Sequence, residues 1–302
     1  MADSQIPVAA GARDSKESRA LVVSGAVWLA AILWLYGRVF VTLARDWNAN
    51  ENYSHGWLVV PIAAALAWQQ RERLRRTPMT PAPSGLVLIL ASLALFVAGS
   101  LGAEIFTTRA SLIGVLAGTI AFVFGWRHLR LVAFPVAFLL FMIPLPSIVF
   151  DRLTQSLQLV ASDLGERLLR AADFAVIRDG NVLTLSSITL QVTDACSGIR
   201  SLVSLLMMTS LVGYLFEPAA WRKLAVTSSA IPLAIVLNGG RIAFTGVAAS
   251  RFGPELARGF LHELSGWVVF VVALGAVWLL HLMLGARDDG APAVSRNLVE
   301  AA

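Results

Sequence analysis

The run GLVLILASLALFVAGSLG, residues 85–102, holds no charged side chain and only two hydroxyls. As a helix rising about 1.5 Å per residue it would be about 27 Å long, close to the hydrocarbon thickness of a bilayer. Before it lies a basic stretch with Arg71, Arg73, Arg75 and Arg76; after it comes a second apolar run that ends near Arg127 and Arg130. Two uncharged runs between basic flanks read as a pair of membrane helices.

The rest of the chain repeats that pattern. Hydrophobic residues make up 57% and charged residues 14% of the 302 positions, and mean hydropathy is +0.72, outside the range of soluble globular domains. Eight segments are predicted to span the membrane: 21–43, 56–70, 85–102, 106–125, 131–149, 197–216, 224–248 and 263–284. The second is short, and the fifth is interrupted by Pro135, Pro144 and Pro146. The first follows a basic N-terminus but is over 20 residues long and lacks a clear small-x-small cleavage site, so it reads as a retained helix. Gly114-x-x-x-Gly118 has the spacing that lets helices approach closely. The predicted fold is an all-α integral membrane protein with about eight transmembrane helices. Residues 20–285 form the membrane domain, and 1–19 and 286–302 are polar cytoplasmic tails read as disordered.

Orientation follows from the basic residues. With both termini inside, the cytoplasmic segments carry 13 of the 24 lysines and arginines, while most of the outer ones lie on one long segment to which the rule applies weakly. The pI near 10.1 is therefore read as inside-positive bias, with no nucleic-acid binding. The long outer segment, 150–195, has structure of its own. Leu153, Leu157, Val160, Leu164 and Leu168 recur at helical spacing and predict a periplasmic amphipathic helix on the membrane or capping the bundle. Asp179-Gly180 between β-prone runs predicts a small hairpin before the sixth span.

That hairpin leads into Thr193-Asp194-Ala195-Cys196-Ser197-Gly198-Ile199-Arg200, which holds the chain's only cysteine. A lone cysteine in an apolar helix is more often a packing residue than a nucleophile. At a helix N-terminus, however, the dipole favours thiolate, and free amides can donate to an oxyanion. Arg241, in Asn238-Gly239-Gly240-Arg241-Ile242, lies inside an otherwise apolar span, where a charge is costly and suggests function. His262 opens the eighth segment on the same predicted face and is the natural general acid or base. Arg200 would lie one turn deeper than Cys196. His55, in Asn52-Tyr53-Ser54-His55, shares that face and is a candidate substrate contact. Arg38 and Arg109 read as arginines snorkelling at outer helix ends, and His128 and His281 as interfacial residues on the inner side. There is no paired cysteine, no His-x-x-x-His and no phosphate-binding glycine loop, so no metal or cofactor is implied.

Together, Asp194–Arg200, Asn238–Ile242 and His262-Glu263-Leu264-Ser265-Gly266-Trp267 resemble the three signature blocks of the exosortase/archaeosortase family. The Asn52–Trp57 block and Ile143-Pro144-Leu145-Pro146 resemble it too, so the likeness covers about residues 25–285. It implies a bacterial inner-membrane cysteine transpeptidase with Cys196, Arg241 and His262 as catalytic residues. Tyr53, His55, Arg200 and Asn238 are candidate substrate contacts. The implied partners are exported proteins with a C-terminal sorting tail, made of a Pro-Glu-Pro-like motif, a membrane helix and a basic cluster, together with membrane lipid and an acceptor that the sequence does not identify. The resemblance also implies a link to exopolysaccharide or envelope assembly. Two other classes share some of these features: a multi-spanning transporter, which would line a path through the midplane with polar residues, and a non-enzymatic assembly factor, which would need no cysteine.

Overall fold

The computed structural model describes the backbone at residues 23, 25–186, 188–192, 198–253 and 260–285, with side chains in the last stretch described at 268 and 270–284. Both predicted tails lie outside these residues. The helices are α1 (Gly25–Leu35), α2 (Gly37–Ala49), α3 (Gly56–Gln69), α4 (Arg71–Arg76), α5 (Ser84–Leu101), α6 (Ile105–Val123), α7 (Trp126–Leu131), α8 (Ala133–Phe138), α9 (Ser147–Ala171), α10 (Ile199–Phe216), α11 (Ala220–Ser228), α12 (Ala230–Phe252) and α13 (Phe260–Gly285). Among the described residues four helical stretches are long and apolar enough to cross a membrane, or six if each of two bent pairs counts as one span. Eight apolar segments thus do not amount to eight straight helices. α1 and α2 meet at 56°, and the α8 segment, tightened by a 3₁₀ turn at Leu139–Met142, meets α9 at 81° across Ile143–Pro146. Pro144 and Pro146 supply no amide hydrogen at this break, so a continuous helical ladder cannot form through it.

The α5–α6 pair shows how the bundle packs. The positions where Gly114 and Gly118 would carry a Cβ are filled by Ser92 and Ile89 of the partner helix, and that of Gly99 by Thr108. Leu86, Val87, Leu90 and Leu95 point outward. Small residues face protein and leucines face outward because lipid solvates leucine as well as protein does, leaving close backbone approach to drive association. The α6 N-terminus is capped by Glu104, whose carboxylate accepts from the amides of Phe106 and Thr107.

α9 follows the same rule, and here the sequence reading changes. Its buried face is Thr154, Gln158, Ala161, Ser162, Gly165 and Leu169, whereas Leu153, Val160 and Leu168 are exposed. The packed face is rotated by one residue, about 100°, from the leucine stripe. α9 therefore seats small and polar residues on α12, with Leu164 filling the space beside Gly239 and Ile242 filling that beside Gly165.

The predicted hairpin is a three-stranded antiparallel meander: β1 (Val176–Asp179), β2 (Val182–Leu185) and β3 (Thr189–Gln191). Gly180, at φ +60°, opens the β1–β2 turn. Two strands rather than one follow the turn, because the chain breaks after Leu185 and folds back. Arg178 fixes the sheet to α9 through Glu166 (2.7 Å) and Asp163 (3.4 Å). Val176, Leu183, Leu185 and Val192 join Ala161, Leu169 and Ile242 in one buried cluster between sheet, α9 and α12.

Candidate active site

α12 extends past the start of α10. Leu205 of α10 clusters with Ala230 and Ala234, and Gly198, just before α10, meets Asn238. The remaining turns of α12 rise beyond α10 and pack against α9 and the sheet. A charged residue in the middle of α12 is therefore level with the beginning of α10, which accounts for Arg241 inside an apolar helix.

The described residues on either side of 193–197 both contact this part of α12. Leu190 of β3 lies against Gly246, Val192 shares the buried cluster of Ile242, and Gly198 lies against Asn238. Eight residues of α12 cover about 12 Å, and Arg241 lies between the two contact points. Val192 is fixed by its amide, which donates to the Asn181 carbonyl (2.9 Å), and by its carbonyl, which accepts from Asn181 Nδ2 (2.9 Å). Gly198 adopts φ +80°, in the left-handed region, and a Cβ there would lie 3.0 Å from Cγ and Nδ2 of Asn238. Both ends of the segment 193–197 are thus anchored. Cys196 itself lies outside the described residues. His262 falls in the first turn of α13, and its side chain lies outside them too. Asn238 is buried, and Arg241 stands three residues on, on the same helical face.

The other candidates gather where the loop between α2 and α3 meets the first turn of α10. Arg200 donates from Nε to Asn52 Oδ1 (3.1 Å) and pairs through Nη1 with Glu51 Oε2 (3.0 Å). Asn50 caps this short 3₁₀ turn by accepting from the Asn52 amide. His55 donates from Nε2 to the Phe141 carbonyl (3.0 Å), and burial holds its pKa below the ordinary 6.5. The Tyr53 ring rests near Phe150. Tyr53 and His55 thus tie this loop to the break between α8 and α9, while Arg200 and Asn238 link α10 to its neighbours. Glu51 and Asn52, which hold Arg200, were not singled out in the sequence because their pairing crosses nearly 150 positions.

One polar residue differs from its sequence reading. Arg109 does not snorkel: it is 3% exposed and pairs with Asp46 at 2.7 Å. His128 is buried. His281 is bonded through Nδ1 to the buried carboxylate of Glu217 at 2.7 Å. Among the described residues no group of His, Cys, Asp and Glu is arranged to hold a metal ion.

Apolar helices long enough to cross a bilayer, bent spans and lipid-facing leucines define a multi-pass membrane protein. The family model for transmembrane exosortases (Exosortase_EpsH) matches residues 47–279, and the chain belongs to that family. No curated protein and no solved structure matches it.

Proposed function

We propose that this chain is a cysteine transpeptidase of the bacterial inner membrane, with both termini in the cytoplasm and its site at the periplasmic face. Residues 20–285 are its catalytic unit. It cleaves the C-terminal sorting signal of exported proteins and transfers them to an acceptor in exopolysaccharide or envelope assembly. The observation that supports this reading is that Leu190 and Gly198, which flank residues 193–197, lie against Gly246 and Asn238 of α12, on either side of Arg241.

In this mechanism His262 takes the proton of the Cys196 thiol, and the sulfur attacks the scissile carbonyl. The Arg241 guanidinium stabilises the resulting oxyanion. Collapse of the tetrahedral species breaks the C–N bond, and His262 returns its proton to the leaving amine. The thioester is resolved by an amine or hydroxyl of the acceptor, or by water, releasing the thiol. Arg241 also lowers the cost of forming thiolate near neutral pH.

Co-expression with a tagged protein bearing a Pro-Glu-Pro-type tail tests this. Wild type is expected to yield a shortened product and Cys196→Ala none, with His262→Ala reduced at least about 100-fold. Mass spectrometry of the new C-terminus separates hydrolysis from transfer. Unchanged processing by Cys196→Ala would overturn the mechanism.

A further inference from the structure

Arg200 and Glu51 form a solvent-exposed ion pair at the start of α10. Arg200 is the second residue of α10, two residues beyond the glycine that seats the chain on Asn238, and its side chain is 46% exposed. Its partner Glu51 is 82% exposed, on an element joined to α10 by no sequence proximity. An ion pair this open to solvent contributes little net stability and exchanges readily. The neutral Asn52 holds the same guanidinium separately at Nε. Removal of the Glu51 carboxylate would therefore leave Arg200 held by Asn52 at Nε, with Nη1 open to another carboxylate. A guanidinium held in this way matches a carboxylate through two parallel hydrogen bonds.

We infer that Arg200 is a specificity residue that takes an acidic side chain of the substrate segment, and that Glu51 is its resident substitute, displaced when substrate arrives. The inference rests on the reading of this site as one that acts on a peptide and deepens it. The ligand is an extended peptide with a carboxylate close to its scissile bond. Recognition exchanges one carboxylate for another, so no bond changes and no proton is transferred. Asn52 stays in place and acts as a positioning residue for the guanidinium.

The test uses full-length protein in nanodiscs carrying Cys196→Ala to prevent turnover, and fluorescence polarisation of a short peptide containing Pro-Glu-Pro against its Pro-Gln-Pro counterpart. The Glu peptide is expected to bind roughly tenfold more tightly. Arg200→Gln should abolish the difference, and Glu51→Gln should tighten the Glu peptide about two- to fivefold while leaving the Gln peptide unchanged. Arg200→Glu should reverse the preference toward a Pro-Lys-Pro peptide, an outcome that a merely structural role would not produce and a misfolded variant could not show. Equal binding of the Glu and Gln peptides, no binding of either, or discrimination that survives Arg200→Gln overturns the inference. Cysteine-dependent cleavage in cells can persist under any of those results, and discrimination by Arg200 can persist if cleavage does not occur, so the two readings fail separately.

Discussion

Gly198 has two separate reasons to be glycine: its backbone angle, φ +80°, and the Asn238 side chain where a Cβ would project. Gly198→Ala is expected to cost about 1–2 kcal/mol from the left-handed backbone alone, with a further loss from the contact. Thermal unfolding in detergent measures their sum. Combining it with Asn238→Ala should recover part of the second, and strict additivity of the two losses would show that the residues do not meet. Asp46→Asn should be more harmful than its half-exposed position suggests, by about 2 kcal/mol, because it strands the buried Arg109 guanidinium. Asp46→Asn with Arg109→Met should be more stable than Asp46→Asn alone, and the same unfolding assay decides this. The sequence marked Arg109 as a charge near a helix end but not as a buried one. Snorkelling and pairing look alike until the neighbouring helix is known, and Asp46 lies more than sixty positions away.

Among the elements, the seam between α9 and α12 determines where Arg241 stands. Gly239 and Gly240 are adjacent in sequence and opposite in role: a Cβ on Gly239 would lie 2.6 Å from Leu164, whereas one on Gly240 meets nothing within 4 Å. Gly239→Ala is expected to destabilise by about 1–3 kcal/mol through overpacking. Gly240→Ala should be neutral or stabilising by up to about 1 kcal/mol, since alanine is the better helix former. Equal unfolding midpoints for the two variants would remove the seam as a constraint. The helix at 147–171 was legible from its period, but its packed face was not. The hydrophobic stripe marks the buried face in water, and near lipid the small and polar residues can face the protein instead. The third strand was missed because apolar residues recur from Leu183 to Val192 with no glycine, proline, asparagine or aspartate to mark a turn; the only sign of the break is the three-residue step from Leu185 to Ile188.

At the scale of the whole molecule, hydropathy located the apolar segments while leaving their geometry open. A window average detects an apolar run but not the 56° bend between α1 and α2 or the 81° bend before α9. Counting spans assigns Arg241 and Arg200 to one face, whereas the overshoot of α12 and the contacts of Leu190 and Gly198 on it depend on packing that no count reveals. Orientation gives the last prediction. If the inside-positive reading holds, Cys196 faces the outer compartment, and as the chain's single cysteine it can be labelled without background. A membrane-impermeant maleimide added to intact spheroplasts should modify wild type. In a Cys196→Ala background, Asp179→Cys at the exposed end of β1 should label from outside, and Arg73→Cys, in the basic stretch after α3, only after permeabilisation. Labelling of Arg73→Cys in intact spheroplasts with protection of Asp179→Cys would invert the topology and move the site to the cytoplasm, where an exported substrate's tail would be met before rather than after translocation. Protection of all three positions would instead mean that these segments are shielded by lipid or partners. The eight apolar segments could then no longer be assigned alternate directions from charge alone.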